Sequence, residues 1–154
     1  MYYAIVATLM LTFPALSIAI DASMLQTNVS WFLIGKWCVF WMVGVRLLLA
    51  GLRQIAQPKY TAEKILGIKA EEASIVIREL GFANAAFGVA GVASLFAQGW
   101  VTPLALAGGI FYGLAGINHV LHSHRNRLQS VAMISDLFAA ALLLTYCVTV
   151  LKIF

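Results

Sequence analysis

Apolar residues run along the chain in five blocks separated by short polar breaks, at 2–20, 31–54, 74–97, 101–121 and 131–151. A helix that crosses a bilayer needs about 20 mostly apolar residues, and each block reaches that length. The pattern predicts an all-α polytopic membrane bundle of about five transmembrane helices, with residues 1–154 forming a single transmembrane domain. Pro14 falls inside the first block and predicts a kink there, which neighbouring helices can tolerate.

Composition supports this reading. Hydrophobic residues make up 62% of the chain and charged residues only 10%, too few to cover a water-facing surface. The net charge of +4 does not come from a basic run or a basic–aromatic stripe, so nucleic-acid binding is not expected. The N-terminal Met1-Tyr2-Tyr3 lacks the positive region of a secretory leader, and the first block is read as a span.

The breaks carry the orientation. Asp21 to Ser30 and Gln98-Gly99-Trp100 hold no Lys or Arg, whereas 57–73 carries Lys59, Lys64 and Lys69, flanked by Arg53 and Arg78. Arg125 and Arg127 lie in 122–130. With five spans both basic breaks share a side with the N-terminus, and the positive-inside rule assigns that side to the cytoplasm. The expected orientation is N-terminus cytoplasmic and C-terminus external; Lys36 and Lys152 run against the trend. The long basic break reads as an interfacial segment at 57–73, with Thr61 as N-cap of a short helix through Leu66 and Gly67 as its stop. Glu71 and Glu72 would sit in the first turn of the third span, where the helix dipole favours acids. Trp31, Trp37, Trp41 and Trp100 gather toward the outer side, as an aromatic belt does.

Polar groups inside spans are rare and costly, and they mark the candidate site. They are Arg46 and Arg53 in the second span, Glu79 and Asn84 in the third, Asn118 and His119 in the fourth, and Asp136 in the fifth. All fall in the inner half or close to it. Helical spacing places Met42, Arg46, Ala50 and Arg53 on one stripe, Tyr112, Gly116, His119 and His122 on a second, and Asp136, Ala140, Leu143 and Cys147 on a third. One reading is a polar pocket in which Arg46 holds an anionic group, Glu79 or Asp136 acts as acid or base, and His119 carries protons. The other is structural, with Arg46–Glu79 and Arg53–Asp136 as helix-positioning ion pairs. Arg46 and Glu79 are expected to contact each other directly, or to share one ligand or water. His119, His122 and His124 make a loose H-x-x-H-x-H run, but zinc wants about four convergent ligands, and no metal or cofactor is expected. Cys38 and Cys147 read as packed free thiols. Gly81, Ala85, Gly88, Gly109 and Gly113 permit close helix approach. In the third span that predicts packing within the bundle; in the fourth, bundle packing and a homo-oligomer seam both stay open.

Gly44-Val45-Arg46-Leu47-Leu48-Leu49-Ala50-Gly51-Leu52-Arg53, then Pro58, Gly67, Glu79-Leu80-Gly81-Phe82-Ala83-Asn84 and Gly88, resemble the DoxX-like small bacterial membrane proteins and related uncharacterised inner-membrane proteins. The resemblance covers roughly 31–121. It implies a four-helix core with the first helix as an addition, matched positions at Arg46 and Glu79, and a link to quinone or thiol redox systems.

The function expected from these features is an accessory or scaffold subunit, or a binder of a lipophilic ligand such as a quinone or lipid. A membrane enzyme acting on a lipid-like substrate through Glu79, His119 and Asp136 is the alternative, as is a small transporter. No triad or nucleophile elbow favours the enzyme, and no pair of broken helices favours the transporter. Expected partners are membrane lipids and either a membrane protein or further copies of the chain.

Overall fold

The computed structural model describes residues 2–26, 28–66, 72–122 and 126–152. The chain is all-α. Its helices are α1 (Tyr3–Leu25), α2 (Trp31–Ala56), the short α3 (Pro58–Tyr60, continued by Thr61–Leu66), α4 (Ala73–Ala93), α5 (Gln98–Leu121) and α6 (Arg127–Leu151). Among the described residues, all but α3 are long and apolar enough to cross a membrane. The chain is thus a multi-pass membrane protein.

The helix ends follow local chemistry. Gln26 adopts a left-handed conformation and closes α1, its N–H donating to the Ala22 carbonyl. Ser30 caps α2 by accepting from Leu33 N–H at 3.2 Å. Asn126 and Gln129 form a reciprocal capping box at the start of α6, with both bonds 2.8 Å long, satisfying two otherwise orphaned N–H groups. The Asn126 amide also donates to the Lys64 carbonyl, which ties α6 to the end of α3.

Two spans contain wide turns in which N–H groups reach back five residues rather than four, at Thr8–Thr12 in α1 and Val39–Val45 in α2. The first precedes Pro14, whose ring clashes with the carbonyl four residues back in a regular helix. Widening the turn relieves that clash. The second changes the hydrogen bonding of α2, as described below.

Packing is densest in two helix pairs. α2 and α4 meet along glycines. Gly44 lies against the Gly91 and Val92 backbone, Gly51 against Gly81 and Ala85, and Gly88 against Leu48. A Cβ added at Gly88 would come within 2.6 Å of Leu48 Cα, so only glycine permits this approach. α5 lies on α6, with Gly109 against Leu144 and Gly116 against Leu137. The small residues of the fourth span, like those of the third, therefore serve packing within the bundle. The core between these pairs is formed by Val39, Met42, Val43, Tyr112, Ala139, Leu143 and Tyr146.

Two local expectations change. Thr61 is not an N-cap: the helix begins at Pro58, whose fixed φ and missing N–H suit a first helical position, and Thr61 lies buried inside it. Glu72 sits one residue ahead of α4, outside its first turn. Gly67, Lys69, Glu71, His124 and Arg125 lie outside the described residues.

Candidate functional site

α2, α5 and α6 bring one polar cluster together inside the bundle. Arg46 follows directly on the wide turn of α2. Its Nη2 donates to Asp136 Oδ1 at 2.6 Å and to Ser135 Oγ at 2.9 Å. Its guanidinium carbon stands 4.8 Å from the centre of the Tyr112 ring. The pair is largely withdrawn from the surface, with side-chain exposures of 13% for Arg46 and 9% for Asp136. His119 lies half-buried on α5, one turn beyond Gly116.

The wide turn explains how Tyr112 is held. Arg46 N–H donates to the Trp41 carbonyl, five residues back, and not to Met42. A shift from five-residue to four-residue bonding leaves one carbonyl outside the ladder. That carbonyl is Met42's, and the Tyr112 hydroxyl donates to it. A buried carbonyl without a donor is costly in a membrane interior, so the pairing fixes α5 against α2 at this depth. One hydrogen bond, one cation–π contact and one ion pair thus link Met42, Tyr112, Arg46 and Asp136.

The other expected site residues lie elsewhere. Glu79 is exposed on α4, and among the described residues it makes no hydrogen bond or ion pair. The expected Arg46–Glu79 contact is therefore replaced by Arg46–Asp136. Arg53 does not pair with Asp136 either. It is exposed, with its guanidinium carbon 3.9 Å from the Tyr60 ring centre. Asn84 is buried at the α2–α4 seam and donates to Gln54 Oε1 at 2.8 Å. Asn118 is exposed, and its carbonyl lies 2.8 Å from His122 Nδ1. Glu79, His119 and Asp136 do not assemble into one catalytic group. Ser135 and Tyr112 are the members of the cluster that depth counting of charges misses. Tyr112 does stand one turn from Gly116 on the stripe that ends at His119.

The far end of the bundle, where α1 meets the start of α2, holds a second polar group. Asp21 accepts from Lys36 Nζ at 2.7 Å and from Trp37 Nε1 at 2.9 Å. Trp41 Nε1 donates to Ser17 Oγ at 2.9 Å. Lys36, which ran against the charge asymmetry, is thus neutralised by Asp21 across the α1–α2 contact. Trp31 and Trp100 are exposed at helix starts, whereas Trp37 and Trp41 are half-buried by these bonds.

Beside this outer polar group an apolar groove of about 440 Å³ lies among α1, α2 and α6. It is lined by Met10, Pro14 and Ile18 from α1, Cys38 and Met42 from α2, and Phe138 from α6, among others. Its floor includes the residue whose carbonyl Tyr112 holds. Cys38 and Cys147 are buried free thiols. Among the described residues no three His, Cys, Asp or Glu side chains converge as a metal site would require.

No curated protein and no solved structure matches the chain. The DoxX-like resemblance finds no support in these comparisons. Residues 1–153 match one family, and the chain belongs to that family of unknown function, DUF6790.

Proposed function

We propose that this membrane protein binds a lipophilic ligand with one long apolar chain, a lipid or a quinone, in the groove between α1, α2 and α6. The observation that carries the reading is the groove itself. Its volume of about 440 Å³ lies within the roughly 300–1,000 Å³ of small-molecule sites. Its lining is apolar, and its floor at Met42 is one hydrogen bond from Tyr112 and the Arg46–Asp136 pair. A chain in the groove would lie beside the buried Met42, which couples occupancy to the packing around that polar cluster. The Asp21–Lys36 and Ser17–Trp41 contacts hold α1 to α2 alongside the groove.

In this reading the protein lies in a bacterial inner membrane with the Arg53 end of α2 cytoplasmic, as the basic breaks imply. Binding is favoured over catalysis because Glu79 stands apart from His119 and Asp136.

The test is native mass spectrometry on protein extracted from its source membrane in mild detergent. The wild type is expected to retain a single apolar ligand. Its mass and ultraviolet spectrum separate a quinone from a phospholipid. Ala15→Phe, which fills the groove from α1, should abolish retention while thermal stability holds. A wild type that carries nothing, or a filled groove that retains as much as before, overturns the reading.

A further inference from the structure

The face of α4 turned away from α2 carries two charges within the span. Its buried face is fixed by Ile77, Gly81, Asn84, Gly88 and Gly91. On the opposite side Ile75, Phe82 and Val89 are 66%, 54% and 58% exposed, and Ala86 is exposed with them. At about 100° per residue these four form one stripe along the helix. Arg78 and Glu79 flank it at the same depth, one on each edge, and both are exposed.

Adjacent residues on a helix point about 100° apart and do not face each other. Among the described residues neither Arg78 nor Glu79 makes an ion pair or hydrogen bond. Glu79 lies six residues beyond Ala73, about 9 Å along the axis, with Phe82 and Val89 beyond it on the same face. A bare carboxylate there is costly, and membrane proteins place such groups against protein.

We propose that this face is the interface of a parallel homodimer, in which Arg78 and Glu79 of one copy pair with Glu79 and Arg78 of the other. Parallel two-fold packing sets the left edge of one helix beside the right edge of its partner at equal depth. An arginine on one edge and a glutamate on the other then satisfy each other twice. The surface is self-complementary, which selects a second copy of this chain as its occupant. Ile75, Phe82, Ala86 and Val89 supply the apolar line between the two ion pairs, and the small Ala86 lets the backbones approach.

The test uses the full-length protein in lipid vesicles, labelled with donor or acceptor dye and read by energy transfer as dilution in lipid increases. The wild type should associate. Arg78→Glu alone and Glu79→Arg alone place like charges across both edges, and each should weaken association about tenfold or more, by analogy with measured interhelical polar terms. Mixing the two single variants, one chain carrying two acids and the other two bases, should restore transfer between chains. The double exchange R78E/E79R should self-associate like the wild type. Because both positions are exposed in one copy, the variants are expected to keep the wild-type melting profile. A monomeric wild type, unchanged single variants, or a mixture that fails to associate overturns the proposal. So does a foreign subunit that crosslinks through Ala86→Cys while copies of the chain do not.

Discussion

Arg46 and Asp136 stand 90 residues apart in sequence and share a 2.6 Å ion pair. Their contact joins α2 to α6, and Ser135 and Tyr112 complete it. Breaking a buried pair strands one charge, whereas removing both charges does not. Arg46→Met and Asp136→Leu are each expected to destabilise the bundle by about 3–5 kcal/mol. The double substitution should cost clearly less than either. Thermal unfolding in one detergent across all four proteins checks this, and a strictly additive double variant would contradict the pairing.

Tyr112 gives a finer test, because its ring and its hydroxyl do different things. Tyr112→Phe keeps the ring near Arg46 but leaves the Met42 carbonyl without its donor. A loss of about 1–2 kcal/mol is expected from one unsatisfied buried acceptor. Tyr112→Leu removes the cation–π contact as well and should cost more. Equal losses in the two variants would assign the whole effect to the hydrogen bond.

How far the site was legible in the sequence turns on rotation about the helix axis. Depth followed from residue counting and correctly put Arg46 and Asp136 at compatible levels. The stripe Asp136, Ala140, Leu143 and Cys147 is buried along its length. Depth and chain proximity alone point from Arg46 to Glu79. The direction of Glu79 was readable too: Gly81, Asn84, Gly88 and Gly91 repeat at helical spacing and mark the face that meets α2. Glu79 is two residues before Gly81, about 200° around the helix, so it points away from that face. The five spans were readable because each is a long apolar block, although α1 continues to Leu25 and α6 begins at Arg127. The Tyr112–Met42 bond was not readable, since it depends on a wide turn that no residue type in Val39–Val45 announces.

Orientation is a separate prediction. Reporter fusions after Lys64 and Arg127 are expected to read cytoplasmic, and fusions after Asn28 and Phe154 external. Lys36 lies on the other side, paired with Asp21 at 2.7 Å, but it is outnumbered by the Lys and Arg residues of the two basic breaks. A cytoplasmic C-terminus in the wild type would contradict the five-span orientation.

The glycines make the last prediction, because the space around them differs in kind. Gly88 and Gly51 meet backbone atoms of the facing helix, with an added Cβ at Gly51 only 2.5 Å from Ala85 N. Backbone cannot rotate aside as a side chain does, so α2 and α4 must separate to admit a methyl group. Overpacking a close contact costs about 1–3 kcal/mol, and separation also loosens the Asn84–Gln54 bond at the same seam. Gly88→Ala and Gly51→Ala are therefore expected at or above the upper end of that range. At Gly113 the nearest neighbour of a new Cβ is Ala140 Cβ at 3.7 Å, an ordinary contact, and at Gly99 nothing lies within 4 Å. Gly113→Ala should be neutral or mildly stabilising, since alanine favours the helix over glycine by about 1 kcal/mol. Gly99→Ala should stay within about 0.5 kcal/mol of wild type. Ranking the four variants by thermal unfolding checks the seam. If Gly88→Ala melts with Gly113→Ala, α2 and α4 are not in backbone contact, and the rotation that turns Glu79 outward loses its support.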